Sequence, residues 1–242
     1  MSDSILRALE LRLALAAICL AAHTLPAFAA LQCMLPSEIP TPRAVKSSLA
    51  KSVRREAIAG YTLALSWSPE YCAGRVREGA FQCASANRFG FVLHGLWPDG
   101  RGGSWPQYCR PAALLPRRVI AENLCMTPSA QLLQHEWAKH GSCMATRPED
   151  YFAKARALYG ELRLPDMAAL ARSDRLSAGA LIDAVARLNS GLPRDAMRVR
   201  TTRHNRLSEL WICLDTALRP TRCLASKKGV SLSAQLKVRP VD

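Results

Sequence analysis

The chain has 242 residues, of which 49% are hydrophobic, and these figures indicate one folded domain of moderate size with an appendage. It contains 33 Lys and Arg and 19 Asp and Glu, so its formal net charge is +14 at pH 7. This charge favours polyanionic partners, but it excludes none of the main classes: nucleic acid, heparin-like glycan, lipopolysaccharide or anionic membrane.

The N-terminal residues 1–29 have the pattern of a secretory signal peptide. A basic flank with Arg7 and Arg12 precedes an apolar run over 13–22, and residues 27–29 form a small-x-small cleavage sequence. The alternative is an uncleaved membrane anchor, which is disfavoured because the run is too short to span a bilayer. We therefore expect a periplasmic or secreted protein with no stable membrane association after cleavage.

Residues 30–58 are predicted to form a mobile basic arm or linker. The segment from 35 to about 56 is rich in Pro, Ser, Lys and Arg, a composition typical of chain without a packed core. Such an arm could contact a polyanion, although a solvated tether is the simpler interpretation. The folded domain is then expected over 59–242.

Within this domain, alternating or apolar runs predict four strands, at 61–67, 88–96, 207–214 and 222–225. Helical periodicity predicts three helices, at 129–140, 149–162 and 177–188, with Ser129 and Ser177 as N-caps. No internal repeat is visible, and strands and helices do not alternate regularly. The order of elements therefore favours the α+β class.

Nine cysteines are present, one of them, Cys19, inside the predicted leader. The eight that remain are an even number in an exported chain, which indicates disulfide bonds. No pair has the C-x-x-C spacing of a structural zinc site, so a metal cluster is disfavoured.

Three of the five histidines lie in two short motifs, His94-Gly-Leu-Trp-Pro and His135-Glu-Trp-Ala-Lys-His-Gly-Ser-Cys. In the first motif, His94 is predicted near the end of a central strand. Gly95 follows it, and the missing side chain would let a ligand or another segment approach the backbone closely. A histidine after a strand is by itself more often structural than catalytic, so the two motifs must be considered together.

On a regular helix, the second motif would place Glu136 and His140 on one face. His135 and Lys139 would occupy the adjoining strip, while Trp137 and the following alanine face the core. A solvated charged face is the alternative interpretation. The zinc-protease pattern requires histidines four residues apart, whereas His135 and His140 are five apart and about 140° out of phase. The spacing thus argues against a metal site.

These residue types match the needs of RNA cleavage by the 2′-hydroxyl group of the substrate. One imidazole can accept the hydroxyl proton and another can protonate the departing 5′-oxygen. The Lys139 ammonium can offset charge on the phosphoryl oxygens. Because the nucleophile belongs to the substrate, no metal or other cofactor is required, and DNA should not be cleaved.

The segments 91–98 and 135–143 closely resemble the two active-site signatures of the ribonuclease T2 family, in particular its bacterial secreted or periplasmic members. Weaker resemblance extends from 61–69 to 209–215, and Ser142 stands where Thr is commoner. The resemblance implies an α+β fold with a central antiparallel sheet flanked by helices. It also implies an endoribonuclease that cleaves single-stranded RNA to 2′,3′-cyclic phosphate ends.

The resemblance further implies roles for individual residues. His94 would be the general acid and His140 the general base of the first step, although the sequence leaves these two labels interchangeable. Glu136 and Lys139 would stabilise the transition state, and His135 would help to hold the phosphate. At the base-binding position, Trp97 would stack on a base and Asp99 would accept a hydrogen bond from a purine amino group.

By the same resemblance, the disulfide pairs would be Cys109–Cys143, Cys213–Cys223 closing a C-terminal strand pair, and Cys72–Cys83, with Cys33–Cys125 as the pair that remains.

Two other functional classes stay open on the sequence alone. One is a basic polyanion-binding module without catalysis, and the other is a membrane-anchored structural protein. We expect a monomer that acts on RNA.

Overall fold

The computed structural model describes residues 30–45, 53–73, 80–84 and 86–241, so the predicted signal peptide lies outside the described residues. The strands are β1 (Ala30–Gln32), β2 (Gly60–Trp67), β3 (Arg88–Phe89), β4 (Phe91–Asp99), β5 (Met197–Thr201) and β6 (Leu207–Leu214). The helices are α1 (Ser68–Ala73), α2 (Arg117–Asn123), α3 (Ala130–Glu136), α4 (Pro148–Glu161), α5 (Met167–Ala171) and α6 (Ala178–Leu188). Helix α3 continues into a π-helical turn at Trp137–Gly141 and a last turn at Ser142–Met144.

The main sheet has four antiparallel strands in the order β4-β2-β6-β5, which confirms the predicted α+β fold. The predicted strand 88–96 is broken at Gly90, and its two parts join different sheets: β3 pairs with β1, and β4 forms an edge of the main sheet. The prediction of a central strand was wrong, since β4 is an edge strand. Its sequence is apolar because a turn covers its outer side. Leu93 exchanges hydrogen bonds there with Met126 and Thr127, so an edge strand is as apolar as a central one.

The two faces of the main sheet have opposite characters, as period-2 alternation requires. On one face, two rows of cross-strand neighbours are buried against helices α4 and α6; they are Leu96, Leu63, Ile212 and Met197, and Leu93, Leu65, Leu210 and Val199. The opposite face carries polar and aromatic side chains. Those on its strands β2, β5 and β6 include Thr62, Ser66, Arg198, Arg200, Glu209 and Trp211. We call this the polar face of the sheet.

The helix boundaries follow from capping residues at the predicted positions. The Ser129 hydroxyl accepts a hydrogen bond from the Leu132 N–H, and the Ser177 hydroxyl accepts one from the Ala180 N–H. Both N-cap predictions are therefore confirmed. Within the described residues, we find no helix with the length and apolarity needed to cross a bilayer.

The predicted strand 222–225 is wrong, since these residues lie in a loop. Strand β6 pairs with β2 on one side and with β5 on the other as far as Ile212, and beyond Ile212 its second side is met only by a bridge from Leu214 to Pro220 and by the Thr221 N–H. The carbonyl of Cys223 instead accepts a hydrogen bond from the Arg198 guanidinium at 3.5 Å.

The prediction of a mobile arm over 30–58 also needs correction for its described residues. Strand β1 pairs with β3, the next residue Cys33 is bonded to Cys125, and the Arg43 backbone exchanges two hydrogen bonds with the Gln131 side chain. A disulfide and backbone pairing thus hold residues 30–45 on the domain. Neither is visible in a composition rich in Pro and Ser.

All four implied disulfides are present: Cys33–Cys125, Cys72–Cys83, Cys109–Cys143 and Cys213–Cys223. The last of these connects β6 to the loop after it, not to a second strand. Each covalent loop stabilises the fold by about 2–4 kcal/mol, mainly by restricting the unfolded chain.

Candidate active site

His94 is the extra residue of a β-bulge. Along the β2–β4 ladder, Ala64 faces Gly95 and Leu65 faces Leu93, so no residue of β2 is opposite His94. A bulge of this kind redirects a side chain relative to regular strand geometry. The sequence predicted His94 near the end of its strand, but it lies within the first half of β4. The bulge, and not a strand terminus, turns the imidazole toward the polar face.

The orientation of the His94 ring is set by two side chains of the polar face. Its Nδ1 atom lies 2.8 Å from Oε1 of Glu209 and 3.5 Å from Oγ of Ser66. Glu209 is held in turn, because Ser66 donates to Oε1 at 3.2 Å and the Trp211 indole N–H donates to Oε2 at 2.9 Å. With Nδ1 engaged, Nε2 is the nitrogen that faces the second motif, 3.8 Å from Oε1 of Glu136.

These contacts keep His94 protonated more readily than a free histidine. Burial lowers its pKa, but the hydrogen bond to Glu209 and the charges of Glu136 and Glu209 raise it by more, so the net shift is upward. Burial raises the pKa of Glu209, whereas its contacts with His94, Trp211 and Ser66 lower it, and the net shift is downward. Each shift favours the charged form of its group, so the two side chains stabilise each other as an ion pair.

The second motif is not a regular α-helix. The Ser142 N–H bonds to the carbonyl of Trp137, five residues back, as well as to that of His140. This π-helical turn contains an extra residue, so the angle between His135 and His140 is smaller than on the α-helix that the sequence predicted. The turn also directs the Lys139 carbonyl outward, where it accepts a hydrogen bond from the Tyr108 N–H at 2.8 Å.

Glu136 enters the site at the position of Gly95. A Cβ atom built on Gly95 would overlap the Glu136 carboxylate and would lie 2.6 Å from Nε1 of Trp97. The close approach expected at this glycine is thus made by the second motif. The Trp97 indole N–H donates to Oε2 of Glu136 at 2.7 Å, and only 2% of Glu136 is exposed. Burial raises the pKa of Glu136 to about 7, although the charge of His94 and the Trp97 hydrogen bond oppose this shift.

His140 has the opposite electrostatic environment to His94. It is 5% exposed, and its ring centroid lies 5.7 Å from that of Trp97. Burial lowers its pKa, and the positive charges of Lys139, His135 and His94 lower it further, to about 2. Its Nδ1 atom has no hydrogen-bond partner among the described residues. The imidazole is therefore neutral at physiological pH.

Lys139 and His135 are half-buried beside these groups. The Lys139 charge acts to lower the pKa of four titratable groups of the site, so it is close to all of them: His94, His135, Glu136 and His140. The pKa of His135 is lowered first by burial and then by the charges of Lys139 and His94. Among the described residues, no cluster of three or more His, Cys, Asp or Glu has an arrangement that could hold a metal ion.

The two residues of the proposed base-binding position differ in accessibility. Trp97 is half-buried and meets the rings of His94 and Trp211 edge to face, at centroid distances of 5.0 and 5.5 Å. Asp99 is only 6% exposed; its Oδ2 accepts a hydrogen bond from Thr62 at 2.7 Å and its Oδ1 is paired with Lys227. Both oxygens of Asp99 thus already have a partner, and an amino group of a base would have to share or displace one of them.

Sequence reasoning did not single out three residues that the structure places at this site: Glu209, Trp211 and Lys227. The available signal was the strand 207–214, in which a carboxylate interrupts an otherwise largely apolar run. Such a residue needs a buried partner, but the partner, His94, is 115 positions away and cannot be identified by local pattern. Lys227 lies in a loop with no recognisable motif.

The model of the ribonuclease T2 family matches residues 59–223, more than half of the chain. The chain belongs to the ribonuclease T2 family. The family resemblance drawn from the two motifs is thereby confirmed. The matched region contains both motifs and Glu209, but it ends before Lys227.

Two curated relatives from bacteria bear names of the same activity. The "Probable ribonuclease" of Haemophilus influenzae is 34% identical over 178 residues, which cover 67% of this chain and 60% of that protein. The "Ribonuclease" of Aeromonas hydrophila is 41% identical over 98 residues, which cover 40% of this chain and 43% of that protein. The chain thus spans less than two thirds of the length of these relatives.

Solved structures agree on the fold. The RNase-related protein from Calystegia sepium is matched over 78% of this chain and 99% of its own, with 22% identity and a TM-score of 0.60. RNase NT, in complex with 5′-AMP, is matched over 77% of this chain and 100% of its own, with 20% identity and a TM-score of 0.58. At this identity the likeness concerns the fold alone.

Proposed function

We propose that this T2-family protein is an endoribonuclease that cleaves single-stranded RNA through the 2′-hydroxyl group, leaving 2′,3′-cyclic phosphate ends. The observation that carries the proposal is the opposite pKa shift of two imidazoles at one site. The pKa of His94 is raised and that of His140 is lowered. At neutral pH one ring can therefore give a proton while the other accepts one, as acid–base catalysis requires.

In the proposed step, neutral His140 removes the proton from the 2′-hydroxyl, and the 2′-oxygen attacks the adjacent phosphorus. The bond from phosphorus to the 5′-oxygen breaks, and protonated His94 delivers its proton to that oxygen. The products are a cyclic phosphate and a free 5′-hydroxyl. The pKa directions favour this assignment over the reverse one, which the sequence leaves equally open.

The remaining side chains act on the charge that develops at the phosphoryl oxygens. The ammonium of Lys139 is half-buried in the site, where its positive charge is weakly screened by water, and the half-buried ring of His135 can donate a hydrogen bond to a phosphoryl oxygen. Glu136, fixed by the Trp97 hydrogen bond, maintains the raised pKa of His94 through its charge. No metal is assigned to the step, because Lys139 supplies the cation and the substrate supplies the nucleophile.

Other parts of the proposal concern the substrate and the cellular compartment. RNA is proposed over DNA because only RNA carries the attacking hydroxyl. Four disulfides favour an oxidising compartment, in agreement with the signal peptide expected at 1–29. We propose a periplasmic or secreted monomer.

A change of leaving group tests the two histidine roles separately. On RNA, we expect His94→Ala and His140→Ala each to lose about 10²–10⁴-fold in kcat. On a uridine 3′-phosphate ester of 4-nitrophenol, whose leaving group departs without a proton, His94→Ala should retain most of its activity and His140→Ala should not. His204→Ala, which alters an exposed histidine outside the site, is the matched control.

Several results would contradict this proposal. Rescue of His140→Ala in place of His94→Ala by the nitrophenyl ester would reverse the assigned roles. Loss of wild-type activity in EDTA, restored by zinc, would require a metal mechanism. Tight RNA binding by the wild-type protein without formation of cyclic phosphate ends would indicate a polyanion-binding protein instead of an enzyme.

A further inference from the structure

A short basic loop, residues 223–230, lies against the polar face and begins at the last residue of the region matched by the family. Two arginines of β5 hold its backbone: Arg198 donates to the carbonyls of Cys223 and Lys227, at 3.5 and 3.0 Å, and Arg200 donates to that of Lys228 at 3.1 Å. The Val230 N–H bonds to the Val199 carbonyl, and Cys223 is covalently joined to β6. The loop is therefore fixed at both of its ends.

This loop places one side chain, Lys227, at the active site. The Lys227 ammonium is paired with the buried Asp99 carboxylate of β4 and lies 5.9 Å from the centroid of the Trp211 ring. The side chain is 19% exposed, whereas its neighbour Lys228 is exposed. Lys227 thus extends across the polar face. Its loop is held by β5, its side chain passes beside β6, and its ammonium group reaches Asp99 on β4, the edge strand that carries His94.

The Lys227–Asp99 pair lies beside the aromatic group of the site. Trp97 and Asp99 are two residues apart on β4 and so share one face of the sheet. The Trp97 ring meets Trp211, which lies next to Lys227. Trp97 is half-buried, and the accessible part of an aromatic ring beside an RNA cleavage site can stack on a base. The polar edge of a base stacked at Trp97 would therefore face this pair.

We propose that Lys227 determines which base is accepted at Trp97, by presenting a hydrogen-bond donor where Asp99 alone would present an acceptor. The inference rests on the proposed ribonuclease activity. An ammonium group only donates, so it favours the O4 of uracil and the O6 of guanine over the amino groups of cytosine and adenine. A free carboxylate only accepts and has the reverse preference. Because Lys227 also neutralises Asp99, its loss should reverse the preference and not merely weaken it.

The test uses dinucleoside monophosphates in which the base is varied in turn on the 5′ and the 3′ side of the scissile phosphate. The measured quantity is the ratio of kcat/KM for keto bases (U and G) to that for amino bases (C and A). We expect a ratio above one on one side in the wild-type protein, and a fall of about tenfold or more in Lys227→Met. The double variant Lys227→Met/Asp99→Asn should show a ratio near one.

Control variants separate recognition from loss of charge or loss of folding. Lys228→Met removes the same charge from the adjacent exposed position and should keep the wild-type ratio. Lys227→Arg retains a donor and should also keep it. Asp99→Asn leaves the ammonium in place and should preserve the keto preference, so the proposal stays testable even if Lys227→Met does not fold.

The outcomes distinguish this inference from the function on which it rests. If no dinucleotide is cleaved by the wild-type protein, the proposed function fails first. If cleavage occurs but wild type shows no keto preference, or Lys227→Met lowers kcat/KM equally for all four bases, the assignment of Lys227 as a specificity residue is wrong. An equal loss in Lys228→Met would show that only net charge matters.

Discussion

Replacement of Gly95 by alanine should damage the site and the fold together. The added Cβ would overlap the Glu136 carboxylate and lie 2.6 Å from Nε1 of Trp97 and 2.7 Å from Cδ of Glu136. These neighbours cannot easily move, because Glu136 is 2% exposed and is held by the 2.7 Å hydrogen bond from Trp97. Overpacking of this kind costs about 1–3 kcal/mol of unfolding free energy. For a chain of this size, that corresponds to a Tm lower by about 2–12 °C.

The assay combines thermal unfolding with kcat on single-stranded RNA. Gly160→Ala is the matched control, because Gly160 is exposed on α4 and a Cβ there meets nothing within 4 Å. Alanine is favoured over glycine by about 0.5–1 kcal/mol in a helix interior, and Gly160 lies in the last turn of α4, so the control should be as stable as wild type or slightly more stable, and equally active. The change from glycine to alanine should therefore lower the unfolding free energy at position 95 but not at position 160.

A background without the Glu136 side chain tests the assigned cause. In Glu136→Ala the carboxylate that Cβ would overlap is absent and only Nε1 of Trp97 remains close, so adding Gly95→Ala should cost less stability than it does in the wild-type protein. An additive loss in the double variant would show that another contact is responsible. Wild-type stability and kcat in Gly95→Ala itself would refute the proposed strand–helix contact altogether.

Two further predictions concern pH and redox state. Activity should fall as pH rises through the raised pKa of His94. Glu209→Gln removes a contact that raises this pKa, so the alkaline limb of the pH–rate profile should move to lower pH. The control Glu161→Gln, at an exposed position, should leave the profile unchanged. Replacing both Cys109 and Cys143 by serine removes a covalent link between residues 34 positions apart. The unfolding free energy, measured by denaturant titration, should fall by about 2–4 kcal/mol. An unchanged value would mean that the bond contributes no stability.

The features predicted correctly from the sequence are those with a local or motif-level signal. Strands β2 and β6 follow from alternating or apolar runs, and the caps at Ser129 and Ser177 follow from a hydroxyl residue before a helical pattern. The family resemblance then supplied the disulfide pairs, which spacing alone leaves open. In each case the deciding information lies within one short segment or in a known pattern of motifs.

The features that were missed depend on contacts between distant segments. The bulge at His94 exists only relative to its partner strand β2, and the Glu209 contact spans 115 positions. Similarly, the sequence does not mark where an α-helix will accept a π-helical turn. Here that turn coincides with the hydrogen bond from Tyr108 and with the disulfide at Cys143, both made by a loop about 30 residues earlier.

The question that the sequence left open, which histidine donates the proton, could not have been answered locally. Two imidazoles have the same intrinsic pKa, so any difference between them must come from their surroundings. The His140 ring is buried and the His94 ring is half-buried, and burial lowers the pKa of each. The difference arises from charge: His94 contacts Glu209 and lies near Glu136, whereas His140 has cationic neighbours. Because Glu209 comes from β6, its strand pairing with β2 is part of what makes His94 the proposed acid and leaves His140 the base.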